Sequence, residues 1–144
     1  MIKTEVFTES KRKPEKFLAC ISSNYLSARK IIRKTSRIAN FYASSWIVIY
    51  VQTPSEEFDQ INVTKQRYLL NNFKLATELG AELLKVKDRD IAERIYKTAI
   101  ERDITTILIG LPSQSLYKYI FRGNVMRKML KKLSGSKIDI IIVS

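Results

Sequence analysis

The sequence predicts an α/β protein with a five-stranded parallel sheet covered by helices on both faces, which gives a three-layer α/β/α architecture. Two observations support this fold class. Short apolar runs alternate with longer amphipathic stretches, and most runs are β-branched and almost continuous. Continuous apolar runs are typical of strands that are buried on both sides. The predicted strands are Phe17–Ile21, Trp46–Val51, Glu82–Val86, Thr106–Ile109 and Ile138–Val143.

The first two connecting segments have helical periodicity. In the first helix, apolar and small residues form one stripe while the basic residues take the other faces. The stripe consists of Ala28, Ile31, Ile32, Thr35, Ile38 and Ala39. The second helix is predicted from about Ser55 or Asp59 to Leu79, with Gly80 as its C-terminal cap.

The last two helices are shorter. Asp88 or Asp90 is expected to cap the third helix. Its buried stripe is predicted to be Ile91, Ile95, Ala99 and Ile100. The fourth helix ends before Ser134-Gly-Ser136, and its stripe is predicted to be Val125, Met126, Met129, Leu130 and Leu133.

Composition indicates one domain in a reducing compartment. The chain has 144 residues, of which 45% are hydrophobic, and no apolar run is long enough to cross a bilayer. Residues 1–15 are expected to be a tail or linker, and residues 16–144 the domain. The lone Cys20 cannot form an internal disulfide, and the N-terminal region lacks the apolar segment of a secretory signal. We therefore expect a cytoplasmic protein or cytoplasmic domain.

Charge and residue content restrict the chemistry. The net charge of +12 favours anionic partners: nucleotides, nucleic acid or an anionic membrane surface. The chain has no histidine, so histidine-based catalysis and histidine metal ligation are excluded within it. No nucleophile, base and orienting group can be paired from the sequence, and no metal site is expected. We therefore expect a binding domain and not an enzyme.

Small polar residues follow three of the predicted strands. They lie in the segments 22–24, 52–54 and 110–113. Because right-handed crossovers bring all strand carboxyl ends to one edge of the sheet, these loops are expected to converge on a ligand site. Ser22, Ser23 and Asn24 are each also suited to capping the following helix.

The loop from Gly110 to Asn124 is similar to a phosphate-binding loop at a helix N-terminus. Ser113 and Asn124 stand where such a loop favours glycine and a hydroxyl residue. Arg122, beside Gly123, is the basic side chain in this region that we expect to meet a phosphate.

Two aromatic residues share one face of the second strand. Trp46 and Tyr50 are four positions apart, and period-two geometry also places Val48 on their face. Trp46, at the start of the strand, is expected in the core. For Tyr50, at the other end, burial and stacking on a base remain equally open, because its hydroxyl needs a partner that a ligand could supply.

The order of elements, the polar turn after the first strand and the spacing of Gly110, Ser113, Gly123 and Asn124 resemble those of the universal stress proteins. The resemblance covers residues 16–144 and implies a sheet order of 3-2-1-4-5 with the adenine-nucleotide alpha-hydrolase-like fold. ATP-binding members of that family have a second glycine, a Ser or Thr, and an acidic residue where this chain has Ser113, Asn124 and Ser22.

Residues 46–54, 75–82 and 107–110 are similar to the universal stress protein domain of the KdpD sensor histidine kinases, which control potassium uptake. In several members this domain is a receptor for cyclic di-AMP, marked by a Ser-x-Ser turn and a strand that ends in tyrosine. Here the turn corresponds to residues 22–24 or 23–25, and the strand to residues 46–50.

The resemblance implies a non-catalytic domain that senses cyclic di-AMP, attached to the other domains of a membrane sensor kinase. Such a domain would need no further cofactor and would bind no nucleic acid. It would be a monomer or a homodimer. The candidate ligand-binding residues are Ser22, Ser23, Asn24, Tyr25, Trp46, Tyr50, Gly110, Leu111, Ser113, Ser115, Arg122 and Gly123.

Two alternatives remain open at this stage. The first is an ATP- or AMP-binding stress protein that dimerises through its last strand. The second is a basic module that binds protein or nucleic acid, which is less favoured because the positive charge is spread over helices without a nucleic-acid motif.

Overall fold

A computed structural model of the chain describes residues 14–111 and 125–144. Across these residues, strands and helices alternate, and the five strands form one parallel sheet in the order β3-β2-β1-β4-β5. The predicted fold class and sheet order are confirmed. The strands are β1 (Phe17–Ile21), β2 (Trp46–Gln52), β3 (Glu82–Lys87), β4 (Thr106–Gly110) and β5 (Asp139–Val143). The helices are α1 (Tyr25–Phe41), α2 (Val63–Glu78), α3 (Ile91–Glu101) and α4 (Val125–Leu133).

The core lies on both faces of the sheet. On β2, Trp46, Val48 and Tyr50 belong to a cluster with buried residues of α1 and α2. The intervening residues Ile47 and Ile49 belong to a second cluster with buried residues of α3 and α4. The predicted period-two alternation of β2 is therefore confirmed. Each aliphatic side chain buried in this way contributes roughly 1.5–3 kcal/mol to folding.

Helix α1 has the predicted buried stripe. Ala28, Ile31, Ile32 and Ala39 are buried in the first cluster, and Ile38 is partly buried against it. The one polar member of the stripe, Thr35, is also buried, and its hydroxyl donates to the Ile31 carbonyl at 2.7 Å. This hydrogen bond lets a polar residue occupy the core without an unpaired group.

The predicted start of α2 was wrong. Neither Ser55 nor Asp59 begins the helix, which starts at Val63 with the Asn62 side chain accepting from the Lys65 amide at 2.8 Å. Residues 54–56 instead form a short 3-10 turn, for which proline at the first position is well suited. At the other end, Gly80 has a φ of +96°, which confirms the predicted glycine cap.

The buried faces of α3 and α4 differ from prediction at one residue each. Ile100 and Leu130 are exposed, at 51% and 48%, whereas Ile95 and Met129 are buried. Ile100 follows the buried Ala99 directly, and one residue along a helix rotates the side chain by about 100° away from the core. The cap of α3 is Asp90, whose side chain accepts from the Glu93 amide at 3.1 Å.

Two further features concern the thiol and membrane insertion. Burial raises the pKa of the Cys20 thiol, and Cys20 packs against the second cluster as the small apolar residue that the sequence predicts. Within the described ranges 14–111 and 125–144, no helix combines the length and apolar character needed to span a membrane.

The two isoleucines of α3 provide a matched test of the core. Ile95→Ala should lower the free energy of unfolding by about 2–5 kcal/mol, because it leaves a cavity beneath the sheet. Ile100→Ala makes the same change on the exposed face and should cost within about 0.5 kcal/mol. Urea denaturation followed by circular dichroism measures both values. Equal losses would contradict the orientation of α3.

Candidate functional site

The candidate site lies at the carboxyl edge of the sheet, where β1 is flanked by β2 and β4. The strand order reverses between β1 and β4, which is the position where open α/β sheets bind ligands. Ile21 ends β1 beside Tyr50 of β2. Ala19 of β1 pairs with Leu108 of β4, two residues before Gly110. These pairings bring the loops after β1, β2 and β4 to the same edge.

The turn after β1 organises the N-terminus of α1. The Ser22 hydroxyl accepts from the Asn24 amide at 3.2 Å. The Asn24 side chain in turn accepts from the Ser27 amide at 3.0 Å, so Asn24 is the cap of α1. The first turn of α1 contains no acidic residue, so nothing in it neutralises the positive end of the helix dipole.

Ser23 connects this turn to the segment that follows β2. Its hydroxyl donates to Glu56 Oε1 at 2.8 Å, across 33 positions of sequence. Glu56 lies on the 3-10 turn, and its carbonyl accepts a long hydrogen bond of 3.4 Å from the Gln52 side chain. Sequence reasoning missed Glu56. The available signal was a carboxylate two residues after Pro54, directly beyond a strand end.

Tyr50 lies beneath this contact and is only 4% exposed. Its ring packs against Phe73 with the centroids 5.5 Å apart, so its faces are covered by the core. The Tyr50 hydroxyl and Glu56 Oε2 are both buried. Burial, then the negative charge of Glu56 and a hydrogen bond to its side chain, raise the pKa of Tyr50 to about 12. Tyr50 therefore offers a ligand no stacking surface.

Tyr25, at the start of α1, is a more accessible aromatic residue. It is partly buried, and its ring contacts Tyr68 of α2 with a centroid distance of 4.6 Å. The Arg29 guanidinium lies 5.4 Å from the centre of the same ring and donates to the Asn72 side chain at 3.2 Å. Asn72 also donates to the Tyr25 carbonyl, so this group joins α1 to α2 beside the site.

Gly110 has a packing function that the sequence did not show. A Cβ atom at this position would lie 2.4 Å from the Ser27 hydroxyl and 3.1 Å from Cδ1 of Ile31. Glycine therefore allows the first turns of α1 to approach the end of β4. The next residue, Leu111, has an exposed side chain, and its amide donates to the Val143 carbonyl at 2.8 Å. That amide is engaged within the sheet.

The remaining candidate residues are not brought to this edge or are not described. Trp46 starts β2 beside Phe17, at the amino edge of the sheet, and is buried in the core. The structure therefore does not bring Trp46 together with Ser23 and Tyr50. Four candidates lie outside the described residues: Ser113, Ser115, Arg122 and Gly123.

The carboxyl edge also contains a small cavity. The cavity, of about 190 Å³, lies beyond β2 and β3 and is bordered by Gln52, Lys87 and Asp88 among others. A hydrogen bond from the Asp90 amide, and then one from Arg94, lower the pKa of Asp88. In the part of the chain that the structure describes, no three His, Cys, Asp or Glu side chains cluster closely enough to hold a metal ion.

Comparison with known proteins identifies the relatives. No protein-family model matches the chain. It is 32% identical over 131 residues to the sensor protein KdpD of Clostridium acetobutylicum, an alignment that covers 90% of this chain. It is 31% identical over 96 residues to KdpD of Escherichia coli K12, covering 67% of this chain. The chain spans only 14% and 10% of the lengths of these two proteins.

Solved structures give the fold family. A universal stress protein in complex with cAMP matches with a TM-score of 0.66 at 17% identity, covering 92% of this chain and 98% of that one. The universal stress protein of Archaeoglobus fulgidus in complex with dAMP matches with a TM-score of 0.62 at 16% identity, covering 90% and 98%. The chain is a universal stress protein domain of the KdpD type. In this domain, Tyr50 and the Ser23–Glu56 contact lie at the carboxyl edge on the β2 side of β1.

The buried hydroxyl of Tyr50 predicts a loss of stability in alkali. Its pKa rises on folding from 10.0 to about 12, so the unfolded chain releases this proton first. The free energy of unfolding should therefore fall, relative to Tyr50→Phe, as the pH rises from about 10 to about 12. Urea denaturation of both proteins across this range measures the difference. Parallel curves for the two proteins would contradict the raised pKa.

Proposed function

We propose that this domain is the non-catalytic ligand sensor of a KdpD-type potassium-uptake kinase and that it binds cyclic di-AMP at the carboxyl edge of its sheet. The two universal stress proteins of the same fold were solved with cAMP and dAMP, both adenine nucleotides. The rest of the parent kinase would be the partner that responds to occupancy, and the domain would face the cytoplasm.

The observation that carries the proposal is the polar cluster of Ser23, Tyr50 and Glu56 at the carboxyl edge of the sheet, beside the end of β1. The Ser23 hydroxyl donates to Glu56 Oε1, and Glu56 also lies close enough to the Tyr50 hydroxyl to raise the pKa of that phenol. The cluster holds a carboxylate where the loops after β1 and β2 meet, which favours a ligand with a hydrogen-bond donor.

The charge of Glu56 favours a base and not a phosphate at this position. Its carboxylate accepts hydrogen bonds, and the exocyclic amine of adenine donates them. Guanine also carries donors, at N1 and N2, so the carboxylate is compatible with either purine. A phosphate is better suited to the start of α1, where the helix dipole is positive and Ser22 and Ser27 supply hydroxyl groups.

The family differences also favour a cyclic dinucleotide over ATP. Ser22 stands where ATP-binding members have an acidic residue, and metal-bound triphosphates use such carboxylates to hold magnesium. A cyclic dinucleotide has two phosphodiester charges and no triphosphate, so it needs no magnesium ligand. Its two adenines require two recognition surfaces, and Tyr25 supplies a partly exposed ring beside the site.

Isothermal titration calorimetry of the full chain tests the ligand. Cyclic di-AMP should release measurable heat, and cyclic di-GMP at the same concentrations measures the preference for adenine. ATP with magnesium should bind more weakly than cyclic di-AMP. No heat with cyclic di-AMP at high micromolar concentration would sink the proposal. Tighter binding of ATP, dependent on magnesium, would favour the ATP-binding stress protein.

Single-atom substitutions test the site. Ser23→Ala and Tyr50→Phe should each weaken cyclic di-AMP binding by about 3- to 10-fold, because each removes one hydroxyl from the carboxyl edge. Ser44→Ala and Tyr42→Phe make the same chemical changes in the segment between α1 and β2, at the amino edge of the sheet. These controls should leave the affinity unchanged. Equal effects in both pairs would place the ligand elsewhere.

A further inference from the structure

The outer face of α1 has four basic side chains that form no ion pair within the described residues. Lys30, Arg33, Lys34 and Arg37 follow the i, i+3, i+4, i+7 spacing and therefore share one face of the helix. Helix α1 contains no acidic residue, and none of the four forms an ion pair with any residue in the ranges 14–111 and 125–144. The segment 112–124 contains no Asp or Glu, and the segment 1–13 contains two glutamates among four lysines and arginines.

These cations border a groove between α1 and β5, which we call the α1–β5 groove. It has a volume of about 330 Å³ and is lined by the four basic residues and by residues 141–144 of the last strand. Ile141 and Val143 pack against the first core cluster but are only partly buried. The groove thus combines an apolar floor with a cationic wall.

Among the described residues, no strand pairs with β5 along the outer side of the groove. The strand is at one end of the sheet order, and β4 is its partner. The Asp139 amide and the Val143 carbonyl bond toward β4, to Thr105 and Leu111. Because backbone groups alternate in direction along a strand, those of Ile140 and Ile142 face the open edge. Unpaired edges of this kind accept an added strand.

The charge decides which occupant suits this edge. A second copy of the chain would bring the same four cations to its side of the contact, and the chain has a net charge of +12. Like charges placed together across an interface are unfavourable. A segment of opposite charge gains the attraction of all four cations and the hydrogen bonds of the strand edge.

We propose that the α1–β5 groove docks an acidic, extended segment of a partner protein, which adds to β5 as a further strand. Side chains of an added strand alternate between the two faces of the sheet. Carboxylates at alternate positions would meet Lys30, Arg33, Lys34 and Arg37. Apolar side chains between them would cover Ile142, which is 48% exposed on the opposite face. The partner segment thus has an alternating acidic and apolar pattern.

A fluorescent peptide of alternating glutamate and valine, titrated with the full chain in an anisotropy assay, tests this docking. Reversing two groove charges with Arg33→Glu and Arg37→Glu should weaken binding at least about tenfold. Reversing Lys65 and Arg67, two exposed cations of α2, changes the net charge by the same amount and should alter the affinity less than about twofold. Equal weakening by both pairs would overturn the proposal.

The strand edge is tested separately. Ile142→Pro removes an outward N–H without removing a bond to β4 and should abolish peptide binding. If this variant does not fold, the same peptide with N-methylated backbone amides makes the test from the ligand side and should not bind. Unchanged binding in either case overturns strand addition. A homodimer of the wild-type chain that Ile142→Pro dissociates, measured by sedimentation, would show that a second copy occupies the edge and would overturn the acidic partner.

Discussion

The close approach of α1 to the end of β4 is the constraint on which the site depends. Glycine at position 110 leaves room for Ser27 and Ile31, which a Cβ atom would displace. This packing brings the N-terminus of α1 over the reversal of strand order, so a helix dipole without neighbouring acid groups points at the switch point. The same packing buries Ile31 and Ile32 in the core. The contact between α1 and the end of β4 therefore both stabilises the core and positions the N-terminus of α1 at the carboxyl edge.

The described part of the candidate site consists of a hydroxyl, a carboxylate and a buried phenol, provided by Ser23, Glu56 and Tyr50. A carboxylate at the carboxyl edge disfavours a dense phosphate charge and favours a hydrogen-bond donor such as an amino group. The domain has the universal stress protein fold, and we propose that its carboxyl edge recognises a base.

The positive charge of the chain has a local organisation. Some cations are paired, as Arg94 is with Asp88 and Arg102 with Glu82. The four on the outer face of α1 form no ion pair with any residue that the structure describes, and they lie beside the last strand of the sheet. Surface cations without partners contribute little to stability. We propose that they bind an anionic partner, at a surface separate from the nucleotide site proposed for the carboxyl edge.

The sequence by itself determined the fold, the strand positions and the two faces of β2, because hydrophobic periodicity reports directly on burial along one segment. It also identified Ser23 and Tyr50 as residues of the carboxyl edge. The predicted start of α2 was wrong, because the capping residue Asn62 sets it. Ile100 was predicted to be buried but is exposed, because one step along the helix turns its side chain away from the core. Only the tertiary structure decided that Ser23 forms a hydrogen bond with Glu56, 33 positions away, and that Gly110 leaves room for α1 to approach β4. It also decided that Trp46 lies at the opposite edge of the sheet. Those facts join distant segments, and local pattern contains no information about which side chains meet once the chain has folded.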